Sequence, residues 1–211
     1  MRSITHNDIS LGQGAISQTL FAIRTGSANY VAGSISITNN TIHDCTFDAG
    51  ASGQFFGIYQ EFDCASSNID DNIITDNALN TGAANSYLIY DNGVTPTMSV
   101  SGNQLTNNSI TAALAGNING YYYVNISATG NITVADNVID NLSVPSGSTG
   151  YVVGIRVSNS TSQTKTISGN SISNISAGTG TTVWTCGMYI DKMPSGSTVT
   201  NNIVNTVSSV K

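Results

Sequence analysis

One six-residue pattern constrains this chain more than any other feature: an apolar residue, two spacers, Asn, one spacer, and a second apolar residue. Its clearest copy is Ile167-Ser168-Gly169-Asn170-Ser171-Ile172. It recurs as Ile4/Asn7/Ile9, Ile37/Asn40/Ile42, Ile69/Asn72/Ile74, Val100/Asn103/Leu105, Val134/Asn137/Ile139 and Val199/Asn202/Val204. The seven asparagines lie 33, 32, 31, 34, 33 and 32 residues apart. A fixed period running from end to end marks a repeat architecture, in which each unit buries its apolar side only against its neighbours. The 211 residues are therefore read as one elongated repeat domain over 1–211.

The motif residues predict strands. Every residue three before the Asn is β-branched, and so is every residue two after it except Leu105. Such side chains suit a pleated, half-buried surface. Immediately before each Asn stands His6, Asn39, Asp71, Gly102, Asp136, Gly169 or Asn201. These residue types tolerate a left-handed backbone, so a sharp bend is expected there. With coils stacked about 4.8 Å apart, Asn7, Asn40, Asn72, Asn103, Asn137, Asn170 and Asn202 should form a hydrogen-bonded amide ladder. No long window shows apolar residues at helical spacing, and Gly, Ser, Thr and Asn interrupt every stretch, so no α-helix is expected.

A second segment recurs in each unit: Leu20-Phe21-Ala22-Ile23-Arg24, Phe56-Gly57-Ile58-Tyr59, Tyr87-Leu88-Ile89-Tyr90, Tyr122-Tyr123-Val124-Asn125, Val153-Gly154-Ile155-Arg156 and Cys186-Gly187-Met188-Tyr189. Each coil thus has a further strand. Small and polar connections such as 48–54, 79–85 and 114–120 separate the segments and read as loops. The expected fold is all-β, a single-stranded parallel β-helix (β-solenoid) of about six and a half coils of about 32 residues.

Charge excludes one class of partner. Only 9% of residues are charged and the net charge is −6. Nucleic-acid binding needs clustered Lys and Arg, and the six basic residues are scattered. No apolar run approaches the roughly 20 residues of a membrane span, and the N-terminus lacks a signal-peptide core. Neither terminus carries a capping element, and an uncapped β-solenoid end is an open edge. Two explanations stand side by side: a segment of a longer repeat protein, or a subunit that docks onto itself end to end as a filament.

The repeated apolar-x-x-Asn-x-apolar coils, with Gly, Asn or Asp before the Asn, resemble the right-handed parallel β-helix repeats of the pectin-lyase-like superfamily. The resemblance covers nearly the whole chain and implies the fold, a single-stranded right-handed parallel β-helix, with the general bias of parallel crossovers as support for its hand. It implies no single activity, because that superfamily includes polysaccharide lyases, glycoside hydrolases, tailspikes, adhesins and non-catalytic surface proteins. The resemblance implies an Asp cluster binding Ca²⁺ with an Arg or Lys base for a lyase and paired or clustered carboxylates for a hydrolase, and neither pattern transfers onto the motif positions here.

Several side chains are candidates for chemistry. Glu61 and Asp63, read as two apart on one strand face, with Asp91 one coil later, form the best carboxylate group, and glycoside hydrolysis needs two carboxyls about 5 to 9 Å apart. Asp44 and Asp76 both follow their motif Asn by four residues, where later coils carry Asn107, Asn141, Asn174 and Thr206. They read as a surface turn ladder, with Ca²⁺ as the one cation considered there; no other cofactor or metal is expected. Aligning the second segments on Ile23, Ile58, Ile89, Val124, Ile155 and Met188 puts Arg24, Tyr59, Tyr90, Asn125, Arg156 and Tyr189 in the next, outward slot. Such a stripe either stacks on sugar rings, contacts a protein, or simply stabilises the sheet. Cys45, Cys64 and Cys186 show no metal spacing, with Cys45 and Cys186 at expected inward positions.

The functional expectation is a non-catalytic extracellular or cell-surface β-solenoid of bacterial type, of the adhesin or filament kind. Its expected partners are itself, a polysaccharide or another surface protein. The alternative is a polysaccharide lyase or glycoside hydrolase that gathers Glu61, Asp63 and Asp91 into one cleft.

Overall fold

The computed structural model describes residues 1–13, 19–26, 31–48, 53–80, 84–111, 116–124, 129–145, 150–158, 162–178 and 184–209. Within them the chain is an all-β parallel solenoid: every paired strand runs parallel to its partner one coil away. Three sheets wrap the core. The first stacks Arg2–Thr5, Val31–Thr38, Cys64–Asp70, Thr97–Ser101, Gly130–Ala135, Gln163–Ser168 and Thr198–Thr200. The second has two half-strands in most coils, as in Thr41–His43 with Thr46–Asp48 and Ile73–Thr75 with Ala78–Asn80, and a single continuous strand in two, Gln104–Ile110 and Val138–Ser143. The third stacks Leu20–Arg24, Phe55–Gln60, Asn85–Asp91, Asn117–Tyr123, Val152–Val157 and Thr185–Ile190. Two connections expected from the sequence are shorter than read. Ala78–Asn80 belongs to the second sheet and Asn117–Tyr123 to the third, because both pair in register with neighbouring coils. No helix of the described residues is long and apolar enough to cross a membrane.

The six-residue motif straddles the corner between the first and second sheets. Its leading apolar residues form one inward column, Ile4, Ile37, Ile69, Val100, Val134, Ile167 and Val199. Its trailing ones form another, Ile9, Ile42, Ile74, Leu105, Ile139, Ile172 and Val204. From Ile37 to Ile167 and from Ile42 to Ile172 these side chains are buried. Removing each from water is worth about 2 kcal/mol. Between the columns the backbone turns through the left-handed region, with φ of 57° at His6, 56° at Asn39, 57° at Asp71, 67° at Gly102, 54° at Asp136, 68° at Gly169 and 56° at Asn201. The same device recurs inside the second sheet, where Asp44, Asp76, Asn107, Asn141, Asn174 and Thr206 take φ between 49° and 57°.

The Asn side chains at the first corner bond coil to coil. Each Nδ2 donates to the Oδ1 of the next coil's Asn: 2.8 Å from Asn7 to Asn40, 2.9 Å to Asn72, 3.0 Å to Asn103, 2.9 Å to Asn137, 2.9 Å to Asn170 and 2.8 Å to Asn202. The same Oδ1 also accepts from the preceding Asn's backbone N–H, as Asn137 does from Asn103 at 3.1 Å. The second Nδ2 hydrogen returns to the previous coil, as Asn103 does to Ile69 O at 2.8 Å. Every polar valence of the buried amide is thereby used. A shorter inner ladder at the second bend was not legible from the motif: Asn77 Nδ2 donates to Asn108 Oδ1 at 2.7 Å, and Asn77 Oδ1 accepts from Cys45 N at 2.8 Å.

Cys45 and Cys64 are buried free thiols in the core cluster. Cys186, expected inward, instead shares the outward slot of Val153.

Replacing one mid-ladder amide should be costly. Asn103→Ala would orphan the Asn72 backbone N–H, the Asn72 Nδ2 and the Ile69 carbonyl together. The expected loss is about 4 kcal/mol of unfolding free energy, measured by urea denaturation.

Candidate functional site

The third sheet has an irregularity that shapes its outer face. Phe55 and Ile58 both belong to the core cluster, whereas Phe56 and Tyr59 lie outside it with their rings 4.9 Å apart. Two outward residues three positions apart mean that the residue between them, Gly57, is an extra one, as in a β-bulge. That slot is Ala22, Gly57, Leu88, Gly120, Gly154 and Gly187 in successive coils. A Cβ on Gly120 would come within 2.5 Å of the Gly154 carbonyl oxygen, so glycine suits the close approach of the two backbones.

Because of the bulge, each coil shows two outward columns. One is Phe21, Phe56, Tyr87, Asn119, Val153 and Cys186. The other is Arg24, Tyr59, Tyr90, Tyr122, Arg156 and Tyr189. The second corrects the sequence alignment in one coil. Tyr121, not Val124, pairs with Ile89 and Ile155, so Tyr122 occupies the slot assigned to Asn125, and Asn125 lies outside the described residues. The small residue at Gly120 was the available signal, since it matches Gly57, Gly154 and Gly187. Anchoring on Val124 passed over it, because an inward Tyr was not anticipated.

The columns merge into one aromatic platform. Phe21 stacks on Phe56 and Phe56 on Tyr87, each at 5.1 Å; Tyr59 meets Tyr90 edge-on at 5.1 Å, and Tyr87 stacks on Tyr122 at 5.7 Å. Arginines lie on its faces: Arg24 is 4.7 Å from the Phe21 ring and Arg156 4.6 Å from the Tyr122 ring. Burial pushes the Tyr90 phenol up to about 12 and raises Tyr59, Tyr87 and Tyr122 as well. All four therefore stay neutral and keep hydroxyl groups that donate and accept. Tyr189 is 43% exposed at the far end. Phe56 and Tyr87 are buried within the stack, so the surface consists of the half-buried rings of Phe21, Tyr59, Tyr90 and Tyr122, the tyrosine hydroxyls, two guanidinium groups and, at the far end, the Cys186 thiol.

The carboxylates considered for hydrolysis are each engaged or buried. Glu61 lies beyond the end of its strand, not on a strand face with Asp63, and pairs with Arg24 at 2.7 Å. Asp63 accepts from Val94 N at 2.7 Å. Asp91 points inward and is 0% exposed; Gly93 N donates to its Oδ1 at 3.2 Å, and its Oδ2 has no partner. Burial pushes its carboxyl up to about 8.

On the second sheet an open groove of about 540 Å³ holds the acidic residues considered for Ca²⁺. His43 bridges two coils there, with Nε2 2.8 Å from Asp8 and Nδ1 2.7 Å from Asp44. Hydrogen bonding to Asp44 and then Asp8 raises the imidazole above its ordinary value. Asp76 accepts from Thr75 Oγ1 at 2.9 Å. Among the described residues no group of three or more His, Cys, Asp and Glu side chains is placed to hold a metal ion.

Compared with known proteins, the chain matches no family model, no curated protein and no solved structure.

Asp91 sets a pH dependence. Its carboxyl releases its proton near the ordinary 3.8 when unfolded but near 8 when folded. The folded state holds a proton that the unfolded chain gives up, so this contribution to stability is full at acid pH, falls from pH 3.8 to 8, and then levels. Asp70 is also raised by burial, but it is common to wild type and variant. Asp91→Asn should therefore gain about 2–4 kcal/mol over wild type at neutral to mildly alkaline pH and flatten the slope, as read by denaturation across the pH range.

Proposed function

We propose that this chain is a non-catalytic structural β-solenoid of the extracellular or cell-surface kind, and that it binds carbohydrate along the outer face of its third sheet. The observation that carries the reading is the aromatic platform. Rings from three or more consecutive coils lie in contact on a surface facing away from the core, and Arg24 and Arg156 rest against them. Aromatic side chains with a polar tip bind the apolar faces of sugar rings while hydroxyls and guanidinium groups take their oxygens. A parallel stack repeats such groups at about 4.8 Å, which suits an extended, repeating polymer better than a single small molecule. Resemblance of the motif to pectin-lyase-like coils supports the same reading. Engagement of Glu61 by Arg24 and of Asp63 by Val94 N–H, with Asp91 buried, speaks for binding over cleavage. The low charge and the acidic balance favour a neutral polymer over a polyanion.

The test is retention on insoluble polysaccharides, with release of reducing ends assayed in the same tubes. Wild type should be retained on at least one polysaccharide without releasing sugar. The double variant Tyr59→Ser with Tyr90→Ser should bind about tenfold more weakly while keeping its β-sheet circular dichroism. Failure of the wild type to bind any polysaccharide overturns the reading, and steady release of reducing ends overturns its non-catalytic part.

A further inference from the structure

The aromatic platform changes hands part-way along the third sheet. In the first three coils the slot before the bulge carries rings, Phe21, Phe56 and Tyr87; in the next three it carries Asn119, Val153 and Cys186. In the last two of those coils the rings come instead from two residues earlier, Tyr151 and Trp184, which stack 4.9 Å apart. The coil between has neither. Asn117 and Asn119 stand where its rings would be.

Tyr151 bridges across this break. Its backbone N–H donates to Asn117 Oδ1 at 2.7 Å, which fixes its root on the outer slot, while its hydroxyl lies 3.4 Å from Arg156 Nη1 on the far column. The ring therefore spans the slot between, occupied by Val153 and, one coil back, by Asn119. Both are fully buried, yet neither belongs to the core cluster. Tyr87 and Tyr122, stacked at 5.7 Å, close the opposite side. The Asn119 amide is 0% exposed, and neither its Oδ1 nor its Nδ2 has a hydrogen-bond partner. A buried amide with both atoms orphaned lowers stability and calls for a reason. The slot accepts an apolar residue without difficulty, as Val153 shows one coil on.

The geometry points to a closed single-sugar subsite: the pyranose ring of a neutral, hydroxyl-rich polysaccharide enters between Tyr87 and Tyr151, and Asn119 binds a vicinal hydroxyl pair. The inference rests on the carbohydrate reading above and names its ligand class. Inserted there, a sugar completes the row of rings that the sequence interrupts. Nδ2 donates to one hydroxyl and Oδ1 accepts from its neighbour, a match that one amide makes with adjacent hydroxyls and not with a carboxylate. Arg156, over Tyr122 and beside Tyr151, borders the subsite, so the choice of a neutral sugar over a uronate rests on the amide's paired donor and acceptor and is read directly by the uronate arm of the titration. Opening requires rotation of the Tyr151 side chain, whose 3.4 Å contact to Arg156 is long for a hydrogen bond. The apparent affinity is lowered by the fraction of molecules in which the ring is closed.

Trp184 is the chain's single tryptophan and lies against Tyr151, so it reports on that movement. The experiment titrates the whole chain with neutral hexose oligosaccharides and with uronate oligosaccharides, following Trp184 fluorescence and binding heat, and repeats both with Asn119→Val. A neutral oligosaccharide should bind wild type and change the fluorescence. Asn119→Val should bind at least about tenfold more weakly and melt at a higher temperature. Binding by Asn119→Val within about twofold of wild type would overturn the subsite while leaving the platform reading intact. A lower melting temperature for Asn119→Val would show the amide to be structural, and preference for the uronate would refute the neutral ligand. If wild type binds no saccharide, the carbohydrate reading falls and the subsite with it.

Discussion

Everything in this molecule depends on one hydrogen-bonded column, the Asn ladder at the corner between the first and second sheets. Parallel coils can slide past one another in register, and a slip of one residue would turn each inward Ile to solvent. The ladder forbids it. Each Asn from Asn40 to Asn170 is bound by its side chain to the coil ahead and by its second amide hydrogen to the coil behind, so the register of each inner coil is set by both neighbours. The left-handed residue before each Asn turns the chain so that this amide points into the stack. A polar column inside an apolar core is tolerable only because it is fully satisfied, and a half-satisfied one would be worse than none.

The ladder also explains how much of the fold was legible. Its period, its β-branched flanks and its turn-forming predecessors are all set by residue type, so the motif announced coils, corner and inward columns together. The third sheet was legible only in part because no single residue there is obligatory. Its inward column runs Ile23, Ile58, Ile89, Tyr121, Ile155 and Met188, and a tyrosine at an inward position breaks the hydrophobic pattern. What is constant is a tight bulge, written mostly as glycine, and a search for apolar matches passes over it. Asp91 was unreadable for a related reason. A carboxylate at the end of a strand looks solvated, and only the closed coil shows that its slot, shared with Gln60 and Tyr123, faces inward.

The same bulge gives the third sheet its character. An ordinary strand presents alternate residues to solvent, whereas here two outward side chains flank the extra residue and touch each other, as Phe56 and Tyr59 do at 4.9 Å. One irregularity repeated in every coil thus converts a row of separate side chains into a continuous surface. The first and second sheets, whose bends are fixed by left-handed residues, show no comparable platform among the described residues.

Asparagine plays opposite parts on the two sides of the molecule. At the corner it is bonded on every valence and stabilises the stack; on the third sheet Asn119 is buried with none of its side-chain valences met. Composition cannot tell the two apart, because both are simply Asn in an Asn-rich chain. Their neighbours can. An Asn above and below another Asn has partners by virtue of the repeat itself, whereas Asn119 follows Tyr87 and precedes Val153, and bonds neither. In a solenoid, where each coil sees mainly the coils beside it, a polar residue out of step with its column loses the partners that the repeat supplies and needs others, as Gln60 finds in Phe62 and Thr25 and as Asn119 does not. That is the physical reason for proposing recognition at the break in the column and stability in its continuity.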